Sequence, residues 1–444
     1  MEKEATYKDL KIGVYAIAAG EPNEFIDRWL NSMKGADYIW VLITKLNDPN
    51  YAYFKEKQKL DEFKNKLFVE EKEIKPWRFD VARNESYKII DKYCDGLICT
   101  DIDEVLIEDF WDDFRKAIFE HPRFERIYYR YAWGHDGETG QPTTCFWYDK
   151  TMHPNGGYRW DYPVHECIWC PEAEKYGWEG QYFMDNGKVY LHHYPDKSKS
   201  RKSYFDLLKM RSEENERDLY GYYYLAREYT FSGDWFHCLK ALQPLYNLLT
   251  MNPKIPEAAK ILQDLFMYPA TCIMIGQAYL YTGNNDDAEQ YFVKAINNYP
   301  SLVDGYINLA QLYAYSNRPQ RAREVLELAK ANAKEQIDWR IRLYYWRPWK
   351  WLQIQADALS WEGKYEEALE VFKEAEKDIK TADDKAYAEA ERFYHDLEFV
   401  KNKIAEKEKA QKEAEVVTEA EEAPVTEAAG EEKEEKQSDF FGDE

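Results

Sequence analysis

The chain has 444 residues, of which 16% are aromatic, so it carries enough apolar surface for more than one core. Its formal net charge of -23 excludes broad, non-specific nucleic-acid binding, because no cationic surface is available to displace counterions. No run of about 18 apolar residues exists and the start MEKEATYKDLKIG has no secretory apolar stretch, while the seven Cys scattered from Cys94 to Cys272 suit a reducing compartment. The expectation is a cytoplasmic chain with no transmembrane segment.

The first half, up to about Asp196, alternates two periodicities. KIGVYAIAAG, YIWVLIT, KLFVEEKEI and GLICTDID read as strands, and NEFIDRWLNSMKG, AYFKEKQKLDEFKNK and FDVARNESYKIIDKY between them have helical spacing. That order predicts an α/β domain over residues 8–200, Rossmann-like, with a mostly parallel sheet. Ligands bind such sheets outside the carboxyl ends of the strands. The fourth strand ends at Asp101 and Asp103, and strand periodicity points both carboxylates the same way. Hard oxygen ligands of this kind suit Mg²⁺ or Mn²⁺ bridging substrate phosphates. The other reading is a solvated turn, and for Glu104 and Asp109 the two readings stand equal.

Further along, Arg83 has the fork geometry that grips a phosphate, or else forms a structural ion pair with Asp80. The segment YRWDYPVHECIWC carries Asp161, His165 and Glu166. Cys167 and Cys170 form a lone Cys-x-x-Cys with no second pair, which argues against zinc. His192 and His193 are adjacent on a predicted strand and face opposite sides, so one of them at most can serve a site there.

Past Arg201 the strands give way to a helical repeat. Gly276, Tyr279, Ala288, Phe292 and Ala295 are followed 34 residues later by Ala310, Tyr313, Ala322, Leu326 and Ala329, the small-and-large pattern of a tetratricopeptide helix pair. Weaker copies around Ala226, Tyr229 and Leu242, and around Ala356, Ala368, Phe372 and Ala375, predict four helix pairs in an all-α tetratricopeptide solenoid over residues 201–403. The remaining residues, 404–444, read as an acidic disordered tail, with 15 acidic and 5 basic residues from Ala405 onward and few large apolar ones.

The stretch GLICTDIDEVL, preceded by WRFDVARNESYKIIDKYCD, resembles inverting glycosyltransferases of the GT-A fold, in particular the large family two, with its Ala-Arg-Asn helix start and its strand ending in Asp-x-Asp. YAIAAGEPNEFIDRWLNSMKGADYIWVLIT is similar to that family's first nucleotide-binding loop and second strand, and the resemblance spans roughly residues 8–200. Thr44 stands where many members place an acidic residue that reads the base, and Ala19-Gly20 widens the first loop. The resemblance implies a nucleotide-sugar donor, a UDP-sugar first among them. It assigns Ala18, Glu21, Arg83, Asn84 and Asp101 to the donor, with Lys197, Lys199 and Arg201 as a basic segment closing over the diphosphate. It assigns Asp101, Asp103 and His193 to the Mn²⁺ or Mg²⁺ ion.

An inverting transfer of this kind needs a group that takes the acceptor hydroxyl's proton. Glu166 is the first candidate, Asp161 the second, and His165 would orient the base; an exposed acid on a strand is the alternative. The expected function is metal-dependent glycosyl transfer to a glycan or protein acceptor, the repeats binding acceptor, partner or a second copy. A nucleotidyltransferase would carry a glycine-rich basic loop after its first strand, which AIAAGEPNEF lacks. A tetratricopeptide scaffold with a relic sugar-nucleotide domain is the other alternative.

Overall fold

The structure, a computed structural model, describes residues 6–122, 126–135, 139–153, 157–169, 181–196, 202–251, 267–333, 348–381 and 388–421. Strand β1 (Ile12–Ala18) is buried along its whole length, as expected for a central strand covered on both faces. It lies between β2 (Tyr38–Ile43) and β4 (Gly96–Cys99), with β3 (Leu67–Glu71) beyond β2, and these four strands are parallel. The two-residue β8 (Thr151–Met152) closes the sheet antiparallel to β4, giving the order β3-β2-β1-β4-β8. Crossovers α1 (Asn23–Ser32), α2 (Pro49–Lys57) and α3 (Phe79–Ile90) connect the parallel strands. Strand order reverses between β1 and β4, so the chain leaves these two strands in opposite directions and opens a crevice at their carboxyl ends.

A second sheet forms from β5 (Glu104–Leu106), β6 (Arg126–His135), β11 (Gln181–Phe183) and β12 (Leu191–His193), in the order β11-β6-β12-β5, with β7 (Pro142–Tyr148) paired to β6. Its antiparallel pairs, β12 with β5 and β6 with β7, depart from the expected mostly parallel character. Helix α4 (Phe110–Glu120) packs Phe110 and Phe114 in the same buried cluster as Trp29 and Tyr129. A short hairpin, β9 (Arg159–Asp161) and β10 (Cys167–Trp169), carries the segment singled out for Glu166.

Helix α5 (Lys202–Glu214) begins the helical region. Four antiparallel pairs follow: α6 (Leu219–Phe231) with α7 (Trp235–Leu249), α8 (Met267–Tyr281) with α9 (Asn285–Asn298), α10 (Val303–Tyr315) with α11 (Pro319–Asn332), and α12 (Pro348–Trp361) with α13 (Tyr365–Thr381). The repeating Ala, Phe and Leu positions are the contacts: Ala288, Phe292, Ala295, Ala322, Leu326 and Ala329 are all buried. Gly276 gives way to the ring of Phe292, since a β-carbon there would lie 2.5 Å from Phe292 Cε1. In the next pair the balance shifts, with Ala310 in place of the glycine and the smaller Leu326 in place of the phenylalanine. The turn of each pair passes through a left-handed residue, Gly233, Gly283 and Gly363 in three of them and Asn317 in the fourth.

Helix α14 (Ala388–Glu421) runs on through residues 404–421, which were expected to lie in the tail. The cause is composition. Ala, Glu and Lys are strong helix formers, and Lys403–Glu406 and Lys409–Glu413 pair along one face while Lys407 reaches Glu366 of α13. Residues 422–444 lie outside the described residues. No described helix is long and apolar enough to cross a membrane.

Candidate active site

The crevice at the ends of β1 and β4 gathers charged groups from four distant parts of the sequence. Arg83, on the inner face of α3, is 3% exposed, and each of its three nitrogens donates a hydrogen bond: Nε to Glu166 Oε1 at 2.6 Å, Nη1 to Cys99 Sγ at 3.0 Å and Nη2 to Asp101 Oδ1 at 2.8 Å. Lys150, just before β8, donates to Asp101 Oδ2 at 2.8 Å and lies 3.6 Å from Glu104 Oε1. Burial would favour neutral Asp101, but the flanking Arg83 and Lys150 hold its carboxyl well below the usual range. Glu104 is fully buried on β5 and accepts from the Asp101 backbone N–H at 2.8 Å. Burial, with the charges of Asp101 and Asp103 added, outweighs Lys150 and pushes Glu104 up to about 7.

Asp101 and Asp103 do not point the same way. Strand β4 ends at Cys99, and the Glu104 N–H to Asp101 C=O hydrogen bond closes a turn over the intervening residues, so strand periodicity no longer applies. Asp103 turns instead to His193, whose Nε2 lies 3.3 Å from Asp103 Oδ2. Burial opposes the charged imidazole, yet Asp103 outweighs it and raises the His193 pKa. His193 Nδ1 is buried and has no hydrogen-bond partner among the described residues, and the Trp133 ring stacks on the imidazole at 4.5 Å. His192 faces the other way, its Nδ1 2.9 Å from His135 Nε2.

Several expected roles change with this geometry. Arg83 is buried and turned to Glu166, Cys99 and Asp101, where it organises the two carboxylates, in place of the expected grip on a diphosphate. Its expected structural partner, Asp80, pairs with Arg78 at 2.8 Å. Asn84 spends both amide atoms on the backbone of Trp160, donating to the carbonyl and accepting from the N–H, each at 2.8 Å. Ala18 is buried at the end of β1, where its carbonyl accepts from the Thr44 N–H at 3.0 Å. Glu21 is held through its backbone by Asn50, with hydrogen bonds of 2.6 and 2.8 Å. Asp161 accepts from Arg159 Nε at 2.8 Å.

His165 does not orient Glu166. Its ring stacks on Tyr224 of α6 at 4.1 Å and its Nε2 lies 3.4 Å from Arg227 Nη2. Asp109 precedes α4 without a side-chain cap hydrogen bond and pairs with Lys188 at 2.8 Å, whereas Glu104 belongs to the charged cluster. Lys197, Lys199, Arg201 and Cys170 lie outside the described residues.

The three side chains expected to share a divalent ion are not gathered around one point. Asp101 faces two cations of the protein and Asp103 faces His193; among the described residues no three His, Cys, Asp or Glu side chains converge as a resident metal centre requires. One member of the cluster, Lys150, had no local signal. Lys150 follows β7 in a plain Tyr-Asp-Lys-Thr run, and only the β4–β8 pairing brings it to Asp101. For Glu104 the two readings stand equal in the sequence, because the short strand β5 that buries it is invisible beside the acidic turn.

Residues 269–302 match the tetratricopeptide repeat family model. Solved structures with likeness to the chain include the MamA protein (16% identity, covering 42% of this chain and 89% of that one, TM-score 0.28). Others are the putative kinesin light chain repeats of Podosopora anserina (19%, 46% and 94%, 0.31) and a tetratricopeptide repeat protein of Parabacteroides merdae ATCC 43184 (15%, 44% and 62%, 0.32). No curated protein matches the chain. Together with the four helix pairs and the spacing of 34 between the two middle ones, the family match makes the C-terminal part of the chain a tetratricopeptide-type helical solenoid.

Proposed function

We propose that the α/β half transfers a glycosyl group from a nucleotide sugar and that the solenoid recruits a protein, as acceptor or partner. One observation carries the catalytic part. Arg83, Asp101, Lys150 and Glu166, far apart in sequence, assemble at the strand ends where the order of the parallel sheet reverses, the place where α/β sheets bind nucleotides. Asp101 and Asp103 are the more open groups of the cluster, with side chains 35% and 23% exposed. Their carboxylates suit ribose and sugar hydroxyls. Glu166, fixed by Arg83, remains the first candidate for accepting the acceptor's proton. A Mg²⁺ or Mn²⁺ ion, held mainly by the diphosphate and by one or two carboxylates, would enter with the donor.

A second reading, a scaffold whose α/β half does no chemistry, is favoured by the repeat match and by the pairing of Arg83 with groups of the protein itself. A thermal-shift panel of nucleotide sugars, each with and without Mn²⁺, separates the two, because a ligand that binds the folded state raises the melting temperature. Transfer predicts a shift of several degrees with one donor class. A flat panel favours the scaffold.

A further inference from the structure

The loop between β9 and β10, residues 162–166, delivers Glu166 to Arg83, yet its shape is not its own. Tyr162 and His165 sit at φ of 81° and 48°, a left-handed region that is costly for residues with a side chain and persists only where surroundings impose it. The surroundings that do so are chiefly helical-region residues. Arg211 of α5, 2% exposed, donates from one nitrogen to the carbonyls of Val164 at 2.9 Å and His165 at 2.8 Å. Its other two nitrogens are fixed by Asp218, at 2.5 and 3.2 Å, and the Tyr162 ring lies 3.8 Å from the guanidinium carbon. Val164 is buried in one cluster with Leu207, Leu208 and Tyr223. From the other side, the first N–H of α3, on Phe79, donates to the Pro163 carbonyl at 3.0 Å.

We propose that Arg211 is the positioning residue for Glu166, so that the helical region builds the loop on which the α/β site depends. The inference rests on the glycosyl-transfer reading only for what Glu166 does once it is placed. A lysine at this position keeps the charge, but one ammonium cannot span Asp218 and two carbonyls. In the full chain, Arg211→Lys is expected to speed amide hydrogen exchange of Val164, His165 and Glu166 by about tenfold or more while β1 to β4 keep wild-type protection. Turnover is expected to fall by about tenfold with donor affinity unchanged, a split that mere loss of folded protein does not give. Should that variant not fold, Asp218→Asn, which frees Arg211 from its anchor and keeps its charge, is read in the same way. Wild-type exchange of the loop in a folded variant overturns the proposal. If the wild-type chain turns over no donor, the exchange result still decides the role of Arg211, and only the catalytic reading falls.

Discussion

Glu104 holds its proton longer than an ordinary carboxyl because it is buried beside Asp101 and Asp103, and its pKa of about 7 makes it a pH-dependent weight on the fold. The folded state keeps this proton to higher pH than the unfolded chain does, so stability is lost as pH rises from the usual carboxylate range to about 7. Glu104→Gln keeps an acceptor for the Asp101 N–H and removes the charge. The variant's stability relative to wild type is expected to grow between pH 5 and pH 8, by on the order of 3 kcal/mol, in urea titrations at each pH. A constant difference across that range would show that Glu104 is ionised throughout. His193 carries a dependence of the same sign: its pair with Asp103 is strongest below the ordinary imidazole pKa and fades as pH rises through the raised one. With Asp103→Asn the main raising partner is lost, leaving burial opposed by the charges of Glu104 and Asp101, and the His193 titration followed by NMR is expected to move to lower pH. An unchanged titration would mean that the two side chains do not pair in solution.

At the scale of elements, the parts legible in the sequence are those set by local packing. The spacing of 34 was readable because two antiparallel helices need small and large residues at fixed turns, and those residues are the ones found buried. The parallel order of the first four strands was readable for the same kind of reason, from their alternation with helices. The second sheet was not, because β5, β11 and β12 are three residues each and form only through pairing with the longer β6 or with each other. The direction of Asp103 failed for a related reason: β4 ends at Cys99, four residues before the Asp103 at which the expected strand closed. Gly276 tests the packing of the solenoid. Gly276→Ala pushes a β-carbon into the Phe292 ring and is expected to destabilise by about 1–3 kcal/mol, despite alanine's better helix propensity. The matching exchange at Ala310, which faces Leu326, is the control. A stabilised Gly276→Ala would show that the ring has room to move.

Over the whole molecule, the α/β half and the solenoid are joined by more than a linker. Arg78 bridges Asp80 of α3 to Glu214 of α5, Arg211 ties the Glu166 loop to α5, and Trp77 and Phe79 pack against the solenoid's buried cluster. The charged crevice and the helical repeats therefore share structure, which fits the proposal of one chain that brings a protein and a nucleotide sugar together. The claim stands or falls on donor binding. Calorimetric titration of the full-length chain with UDP-sugars, beside an Asp101→Asn variant shown to be folded, is the most direct measurement. Saturable binding to wild type, weakened about tenfold or more in the variant, is the predicted result. Equal affinity in the two proteins, or no heat from any donor with Mn²⁺ present, would contradict it.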